Sequence, residues 1–576
     1  MTIPQHSPAS EVDRIADDYF DATVAMSPLT LTALGRAERQ DEFDDFSPLG
    51  FEADHELRLQ TRERLAKARP TSVTDRVTVA SLSERLDVDI ELHESGRDLL
   101  SINGLETPLH AVRECFDVMP TGTVEQWATI CRRLRAVPTA LFGWTLSQRA
   151  AIERGLLPAR RQVLLLAEQV EQWIAPGGFL DGFCAGARVG DDALPYELAA
   201  ELARSVEVAR GGFARAASHL REEFLPVSTE RDAVGIDTYQ MFSRIHLGAT
   251  VDLAETYAWG LDEVANLRRL EEETAERIRP GATIAEAAAL LDADERYLLH
   301  GVDELRRWMQ ERADEAVKAL DGKHFDIAEP VRTIECCITP TQDGGIYYSE
   351  PSEDFTRPGR MWWSVPAGVE QFSTWRELTT VYHEGVPGHH LQVAQVSLQA
   401  DTLNRWRRLG SWVAGHGEGW ALYAEQLMAE LGFQDDPGDY LGMLDGQMLR
   451  AVRVVIDIGL HCGDEVCDDP RFAAPESVGG GPWTFDKAWT YFNQNVFMDP
   501  ASALFEVNRY AGWPGQAPAY KLGQRLWTEL REQVAEAKGD DFDLKDFHAT
   551  ALGLGGMGLD VLRAAVLDLE GVAVED

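Results

Sequence analysis

The sequence predicts a mainly α-helical protein with one small antiparallel β-sheet. Apolar residues recur at three- and four-residue intervals through most of the chain, which is the period of an amphipathic helix. Strand-like sequence is confined to residues 331–365, where short β-branched and aromatic runs are separated by turn residues. The other breaks fall at Pro and Gly clusters, which end helices.

The first region, residues 1–325, is expected to form the helical wall of a deep central cleft. Helical periodicity is clear over residues 12–26, 51–68, 73–92, 124–151, 160–174, 196–223 and 253–278. Thr283 and Glu286 form a capping box ahead of a further helix. This region carries no chemical motif, and His246 and His300 are interpreted as structural.

The second region, residues 326–576, is expected to be catalytic. Strands are predicted within 331–338, 345–349 and 361–365, and a helix follows from about Ser373. The edge of this sheet would either hold an extended peptide or only pack on the helix. No Pro-, Ser- and Gly-rich linker separates the two regions, so they are expected to form one continuous unit.

The stretch Val381-Tyr-His-Glu-Gly-Val-Pro-Gly-His-His-Leu-Gln392 contains three histidines and a glutamate within eight residues. It differs from the zinc motif H-E-x-x-H because Pro387 stands four residues after His383. On an unbroken helix, His383 and His389 would lie about 9 Å apart along the axis. Pro387 cannot donate to the carbonyl of His383. We therefore predict a two-residue bulge that returns a second histidine, His389 or His390, to a metal ion.

A following helix is expected to supply an acidic ligand. Glu418 and Glu425 are two turns apart and share one helix face. One carboxylate would bind the metal, and the other would orient a ligand histidine. Trp420, Leu422 and Tyr423 indicate that this helix is largely buried, where a carboxylate needs a partner.

These stretches, together with Pro514-Gly-Gln-Ala517, resemble the bacterial domain of unknown function 885 family, most clearly from about residue 330 onward. That family is similar, more distantly, to thimet-type oligopeptidases, carboxypeptidase Taq and angiotensin-converting enzyme. Two features indicate this more distant similarity. They are Gly388 directly before His389, and the seven-residue spacing of Glu418 and Glu425.

The resemblance implies a gluzincin-like fold that binds one Zn²⁺ per chain. It assigns His383, His389 and Glu418 as metal ligands and Glu384 as the general base, with His390 as the rival second ligand.

The helix predicted over residues 440–461 carries two further candidates. The resemblance favours Asp457 and His461 facing the cleft, where His461 would donate to an oxyanion. Tyr348, in the predicted sheet, would bind substrate or be part of the core.

The segment 508–523 is interpreted as the counterpart of the Gly- and Tyr-rich segment that thimet-type enzymes place over the metal. Tyr520 is the first candidate to stabilise the tetrahedral intermediate. Tyr510 is the second, and it is also a candidate to bind substrate. Arg509 would bind a substrate carboxylate through its two-pronged geometry. A structural role is open for each of them.

Composition limits the partners and the location. The net charge of −42 argues against nucleic acid and anionic membranes. The first 19 residues lack a basic segment followed by an apolar run, and no apolar stretch reaches the ~20 residues of a membrane span. Seven cysteines without a framework spacing favour a reducing cytoplasm.

The predicted function is therefore a cytoplasmic zinc-dependent peptidase of short peptides. Two alternatives remain open at this point. The same site would also suit hydrolysis of another amide or an ester, because water activation does not select peptides. Otherwise the chain is a binding protein in which the Pro387-Gly388 insertion has made the metal site degenerate.

Overall fold

The structure is a computed structural model that describes residues 10–339, 345–352, 354–366 and 368–573. It confirms the predicted mainly helical fold, with 22 α-helices and seven β-strands in those ranges. In the described part of the chain, no helix combines the length and apolarity needed to cross a membrane. Residues 1–9, which belong to the stretch that showed no secretory signal, lie outside the described ranges.

The first half of the chain is built from thirteen helices and three short strands. The helices are α1 (Glu11–Met26), α2 (Pro28–Ala33), α3 (Pro48–Lys67), α4 (Val73–Glu94), α5 (Pro108–Val118), α6 (Val124–Glu153), α7 (Arg160–Ile174), α8 (Phe179–Ala185), α9 (Tyr196–His219), α10 (Ile236–Leu247), α11 (Leu253–Ile278), α12 (Ile284–Leu291) and α13 (Val302–Leu320). The strands are β1 (Arg188–Val189), β2 (Asp192–Ala193) and β3 (Leu298–His300). All seven helices predicted from periodicity are present, and Thr283 and Glu286 form the predicted capping box of α12.

Four strands precede the helices of the second half. They are β4 (Ile334–Ile338), β5 (Ile346–Ser349), β6 (Gly359–Trp363) and β7 (Gln371–Ser373). The prediction of an antiparallel sheet is wrong in part. The three-stranded sheet has the order β4-β6-β5, in which β4 and β6 are parallel while β5 and β6 are antiparallel. The sequence marks where strands lie, but β6 enters between β4 and β5, and only tertiary packing determines that order.

Nine helices complete the chain. They are α14 (Thr374–Glu384), α15 (His389–Ser397), α16 (Ala414–Glu430), α17 (Pro437–Cys462), α18 (Phe485–Asn495), α19 (Pro500–Gly512), α20 (Ala519–Lys538), α21 (Leu544–Gly553) and α22 (Leu559–Glu570).

The helices that carry the candidate site are held by close backbone packing and by a core that joins both halves. Helices α16 and α20 pack against each other, and a Cβ on Gly419 would lie 2.4 Å from the carbonyl carbon of Gly523. Helix α17 packs against both α11 and α14. The largest apolar cluster accordingly contains Val264 of α11 and Val455 of α17. Packing therefore continues across the predicted boundary at residues 325 and 326.

Candidate metal centre

The helix that begins at Thr374 ends at Glu384, and a new helix begins at His389. The prediction of a bulge inside one continuing helix is therefore wrong, because the chain leaves helical geometry completely between them. Gly388 N–H donates to the carbonyl of Tyr382 over 3.1 Å, and a Cβ on Gly388 would lie 1.9 Å from the carbonyl oxygen of His383. The indole N–H of Trp420 donates to the carbonyl of Pro387 over 2.9 Å. The break thus requires glycine at 388 and is fixed from the facing helix α16.

The break brings His383 and His389 together with Glu418. One potential ligand atom from each of these three side chains lies within 4.8 Å of the other two. The Nε2 atoms of His383 and His389 each lie 3.4 Å from Oε2 of Glu418. The two rings are almost perpendicular, with centroids 4.8 Å apart. Both imidazoles therefore direct Nε2 toward the same carboxylate oxygen.

Glu425 lies behind His383, on the side away from Glu418. Its Oε1 is 2.7 Å from Nδ1 of His383, and its Oε2 accepts a hydrogen bond from the hydroxyl of Thr379 over 2.6 Å. A carboxylate can only accept, so Nδ1 carries the proton and Nε2 is left to face Glu418. Sequence analysis did not assign Thr379 to the site, although it stands four residues before His383 and therefore shares its helix face.

Glu384 is the last residue of α14 and is buried beside the cluster. Its Oε2 has no hydrogen-bond partner among the described residues. Burial raises the pKa of Glu384, and the neighbouring His383 and His389 oppose that rise. A carboxylate with a free oxygen and a raised pKa is suited to accept and return a proton.

The cluster contains more carboxylates than imidazoles. Burial raises the pKa of Glu418, but His389 and His383 outweigh burial and hold it well below its usual range. Burial lowers the pKa of His383, but its hydrogen bonds with Glu418 and Glu425 raise it to about 10. Three carboxylates, those of Glu384, Glu418 and Glu425, meet two imidazoles in a largely buried space. Such a site favours a bound cation.

His390 is not part of this cluster. Of the two candidates for the second histidine, the structure therefore selects His389. Its Nε2 lies 2.7 Å from the carbonyl of Val331, and its Nδ1 lies 3.0 Å from the hydroxyl of Tyr348. Because a carbonyl only accepts, Nε2–H is the donor and Nδ1 accepts from Tyr348. Tyr348, predicted to bind substrate, instead uses its hydroxyl to hold His390.

Tyr520 lies on the first turn of α20, near enough to Glu418 for that carboxylate to influence its pKa. Its ring is covered by the guanidinium of Arg453, which lies 4.9 Å from the ring centroid. Burial and then the negative charge of Glu418 raise the pKa of Tyr520. The hydroxyl therefore keeps its proton at neutral pH and is able to donate it in a hydrogen bond. Sequence analysis did not assign Arg453 to the site, although its apolar neighbours Val452 and Val454 indicate a buried position.

The structure does not place Tyr510 and His461 as free donors at the cluster. Both are fully buried. The hydroxyl of Tyr510 donates to Glu506, which also binds Arg453, and Nε2–H of His461 donates to the backbone carbonyl of Tyr510 over 2.9 Å. The expected roles of His461 as an oxyanion donor and of Tyr510 as a second donor or substrate-binding residue are corrected. The donor of His461 already joins α17 to α19, and the hydroxyl proton of Tyr510 is used within α19.

Asp457 and Arg509 are likewise engaged within the fold. Oδ1 of Asp457 accepts from the hydroxyl of Tyr239 over 2.7 Å and from the N–H of Gly515 over 2.9 Å. Arg509 donates to Glu506 and to Gln516. Asp457 therefore anchors the turn that precedes α20 instead of contacting the cluster. The two terminal nitrogens of Arg509 already have partners, so a substrate carboxylate would have to displace one of them.

Two solved structures share this fold. A protein from Colwellia psychrerythraea described as a "putative lipoprotein" is 22% identical, with a TM-score of 0.83 over 97% of this chain and 99% of that one. A "putative lipoprotein of unknown function" from Shewanella oneidensis is 15% identical, with a TM-score of 0.70 over 96% of this chain and 99% of that one. The predicted cytoplasmic location is contradicted by this comparison, since both neighbours are described as lipoproteins.

No protein with a curated description matches the sequence significantly. The sequence profile of one family, described as "Bacterial protein of unknown function (DUF885)", matches residues 28–566. That match spans nearly the whole chain and includes the helix break, the Glu418 helix and the turn before α20. The chain belongs to the DUF885 family of bacterial proteins.

Proposed function

We propose that this protein is a zinc-dependent hydrolase whose substrates are short peptides. The observation that carries the proposal is the convergence of His383, His389 and Glu418 beside the unpartnered carboxylate oxygen of Glu384. Two imidazoles and one carboxylate form the ligand set of many catalytic zinc sites, which keep a further position open for water.

The spacing of the donor atoms supports zinc. Bonds of about 2.1 Å from a tetrahedral ion place neighbouring ligand atoms about 3.4 Å apart. Both His Nε2 atoms lie 3.4 Å from Oε2 of Glu418. The excess of carboxylates over imidazoles would be offset by a divalent cation, and the carboxylate behind His383 is typical of histidine ligands.

The residues of this chain would share the chemistry as follows. Zinc, when bound, lowers the pKa of a coordinated water and polarises a carbonyl group. Glu384 accepts the proton of the attacking water through its free oxygen and returns it to the leaving nitrogen. Tyr520 donates a hydrogen bond to the oxygen that becomes negative. Glu425 keeps Nε2 of His383 directed into the centre.

The choice of peptides, and of a gluzincin-like fold with a central cleft, rests on the resemblance to thimet-type and carboxypeptidase Taq enzymes. In this chain, candidate ligands on the successive helices α14, α15 and α16 and a second Glu seven residues after Glu418 support that choice. Hydrolysis of another amide or of an ester is the alternative within the same class of chemistry.

Metal content tests the proposal first. When the protein is purified without chelators, elemental analysis by mass spectrometry should find about one zinc per chain. The variants His383→Ala and His389→Ala should lose it, whereas His390→Ala, a neighbour that faces away, should retain it. Each variant is checked for folding by circular dichroism. A wild-type protein that binds no zinc would favour a binding protein with a degenerate site.

Cleavage assays test the second part of the proposal, which is that the substrates are peptides and that Glu384 is the base. A peptide library and a panel of esters and non-peptide amides are incubated with wild-type protein and with Glu384→Gln, which should keep its zinc and lose activity. Cleavage of peptides alone supports a peptidase, and cleavage of the other panel alone supports a different hydrolase. Full activity in Glu384→Gln would show that another residue is the base.

A further inference from the structure

A cavity of about 680 Å³ is lined in part by Trp412, whose ring packs near His389 of the candidate metal centre. Its walls come from α1, from residues 406–414 and from the turn that precedes α20. Its lining includes Phe20, His246, Trp406, Trp412, Trp513 and Gln516. This volume is within the range of small-molecule binding sites, about 300–1,000 Å³.

Trp412 links the cavity to the metal centre. Its ring centroid lies 6.1 Å from that of His389, and the ring rests on Gly417, where a Cβ would lie 2.2 Å from it. Despite these contacts, 57% of Trp412 is exposed. Phe20, Trp406 and Trp513 line the same cavity as Trp412. An aromatic surface made of several residues marks a binding site more often than a single exposed residue does.

The charges around the cavity disfavour an acidic ligand. Arg85 is paired with Glu84, and its remaining terminal nitrogen donates to the carbonyl of Ile245. Burial lowers the pKa of His246 to about 4, so this side chain is neutral at pH 7. Glu106 adds a carboxylate whose pKa is raised by burial. These lining groups leave no uncompensated positive charge for an anion, while the aromatic rings offer apolar contact.

We infer that this cavity is the subsite that receives a large apolar or aromatic side chain of the substrate, next to the cleaved bond, and that Trp412 determines this preference. The inference rests on the proposed function, because it takes the cluster of His383, His389 and Glu418 as the reaction centre. Trp412 contacts His389 with one part of its ring and lines the cavity with the rest, so a residue bound there adjoins that centre.

Binding to an inactive protein tests the inference separately from catalysis. Zinc-loaded Glu384→Gln is titrated with alanine pentapeptides in which one Phe, or one Asp, is placed at each position in turn. Tryptophan fluorescence and calorimetry report the affinity. We expect one Phe position to bind at least about tenfold more tightly than all-alanine, through burial of the ring. The matching Asp peptide should bind no better than all-alanine.

Two exposed aromatic residues provide matched variants for this test. Trp412→Ala, in the Glu384→Gln background, should remove the preference for Phe, so that this variant binds the Phe peptide no more tightly than it binds the all-alanine peptide. Phe142→Ala should change neither, because Phe142 is similarly exposed, at 54%, but lies on α6 outside the cavity lining. Unfolding temperatures of both variants establish that they are folded.

Equal affinity for Phe and all-alanine peptides at every position would overturn the inference, as would a Trp412→Ala variant that keeps the Phe preference. These results differ from failure of the proposed function. If the wild-type protein cleaves peptides without any preference for Phe, only the subsite assignment is wrong. If the Phe preference is found and depends on Trp412 but nothing is hydrolysed, the subsite stands as a binding site and the hydrolase proposal fails.

Discussion

Nδ1 of His383 lies 2.7 Å from Oε1 of Glu425, and Oε2 of the same carboxylate accepts a hydrogen bond from Thr379. Glu425 is almost fully buried. The imidazole is therefore held in one orientation, with Nδ1–H donating to a side chain two helical turns beyond Glu418. This contact orients the first histidine before any ligand binds.

Glu425→Gln should weaken zinc binding by about 10- to 100-fold, because the amide makes His383 a less basic ligand. Competition with a chromogenic chelator measures the affinity. Glu430→Gln is the control, since Glu430 lies on the same helix but pairs with Arg531 on the surface. Unchanged affinity in Glu425→Gln would show that Glu425 has no influence on the metal.

Gly388→Ala should destabilise the protein by about 2–4 kcal/mol and reduce its zinc content, because the new Cβ would meet the His383 carbonyl oxygen at 1.9 Å. Gly182→Ala, in helix α8 with open space around it, should be neutral or stabilising by up to about 1 kcal/mol. Thermal and urea unfolding measure both. A Gly388→Ala variant with normal stability and zinc content would contradict the role given to the helix break.

Tyr520→Phe should lower kcat by about 10²- to 10³-fold, the loss typical when one oxyanion donor is removed, with little change in KM or zinc content. Steady-state kinetics on the best peptide substrate measures this. Tyr510→Phe provides the contrast, because Tyr510 binds Glu506 inside the fold, so that variant should lose stability more than turnover. If Tyr520→Phe retains full kcat, the donor is another group.

Asp457→Asn should change how stability depends on pH. Burial raises the pKa of Asp457 to about 7, although Tyr239 and Gly515 donate to it, whereas in the unfolded chain the value is about 3.9. Between about pH 4 and 7 the native state holds a proton that the unfolded state has lost. This contribution therefore favours folding at low pH and is lost as pH rises to 7.

The Asp457→Asn variant has no carboxyl group that could bind or release a proton at this position. Relative to the wild type, it should gain stability as pH rises from about 4 to about 7, by on the order of 4 kcal/mol in total. Urea unfolding of chelator-treated protein at several pH values measures the difference. The surface variant Asp540→Asn should follow the wild type throughout. A constant difference between Asp457→Asn and the wild type would exclude a proton on buried Asp457.

Several features were predictable from local sequence. The helices follow from apolar residues that recur every three or four positions and from capping residues, such as Thr283 and Glu286. An interruption of the helix near Pro387 follows from its missing N–H, although the sequence pointed to a bulge and the structure shows a complete break. The shared face of Glu418 and Glu425 follows from their spacing of two turns. Each of these properties depends on residues close together in the chain.

The remaining features depended on contacts between distant residues. His389 and His390 are adjacent, but Val331 and Tyr348 hold His390 on the opposite side. His461 and Tyr510 have the right chemistry for a catalytic site, but their hydrogen bonds join α17 to α19. A sequence does not show which partner a side chain will meet across the fold.

Local sequence accounts for a mainly helical DUF885 chain with an interrupted helix and a set of candidate ligands. Packing across the fold selects the histidine that joins His383 and Glu418, the order of the sheet strands, and the position of Trp412 between His389 and the aromatic cavity. The difference arises because helix period and helix breaking are set within a few residues. The direction of a side chain after a break is set by packing against elements tens to hundreds of residues away.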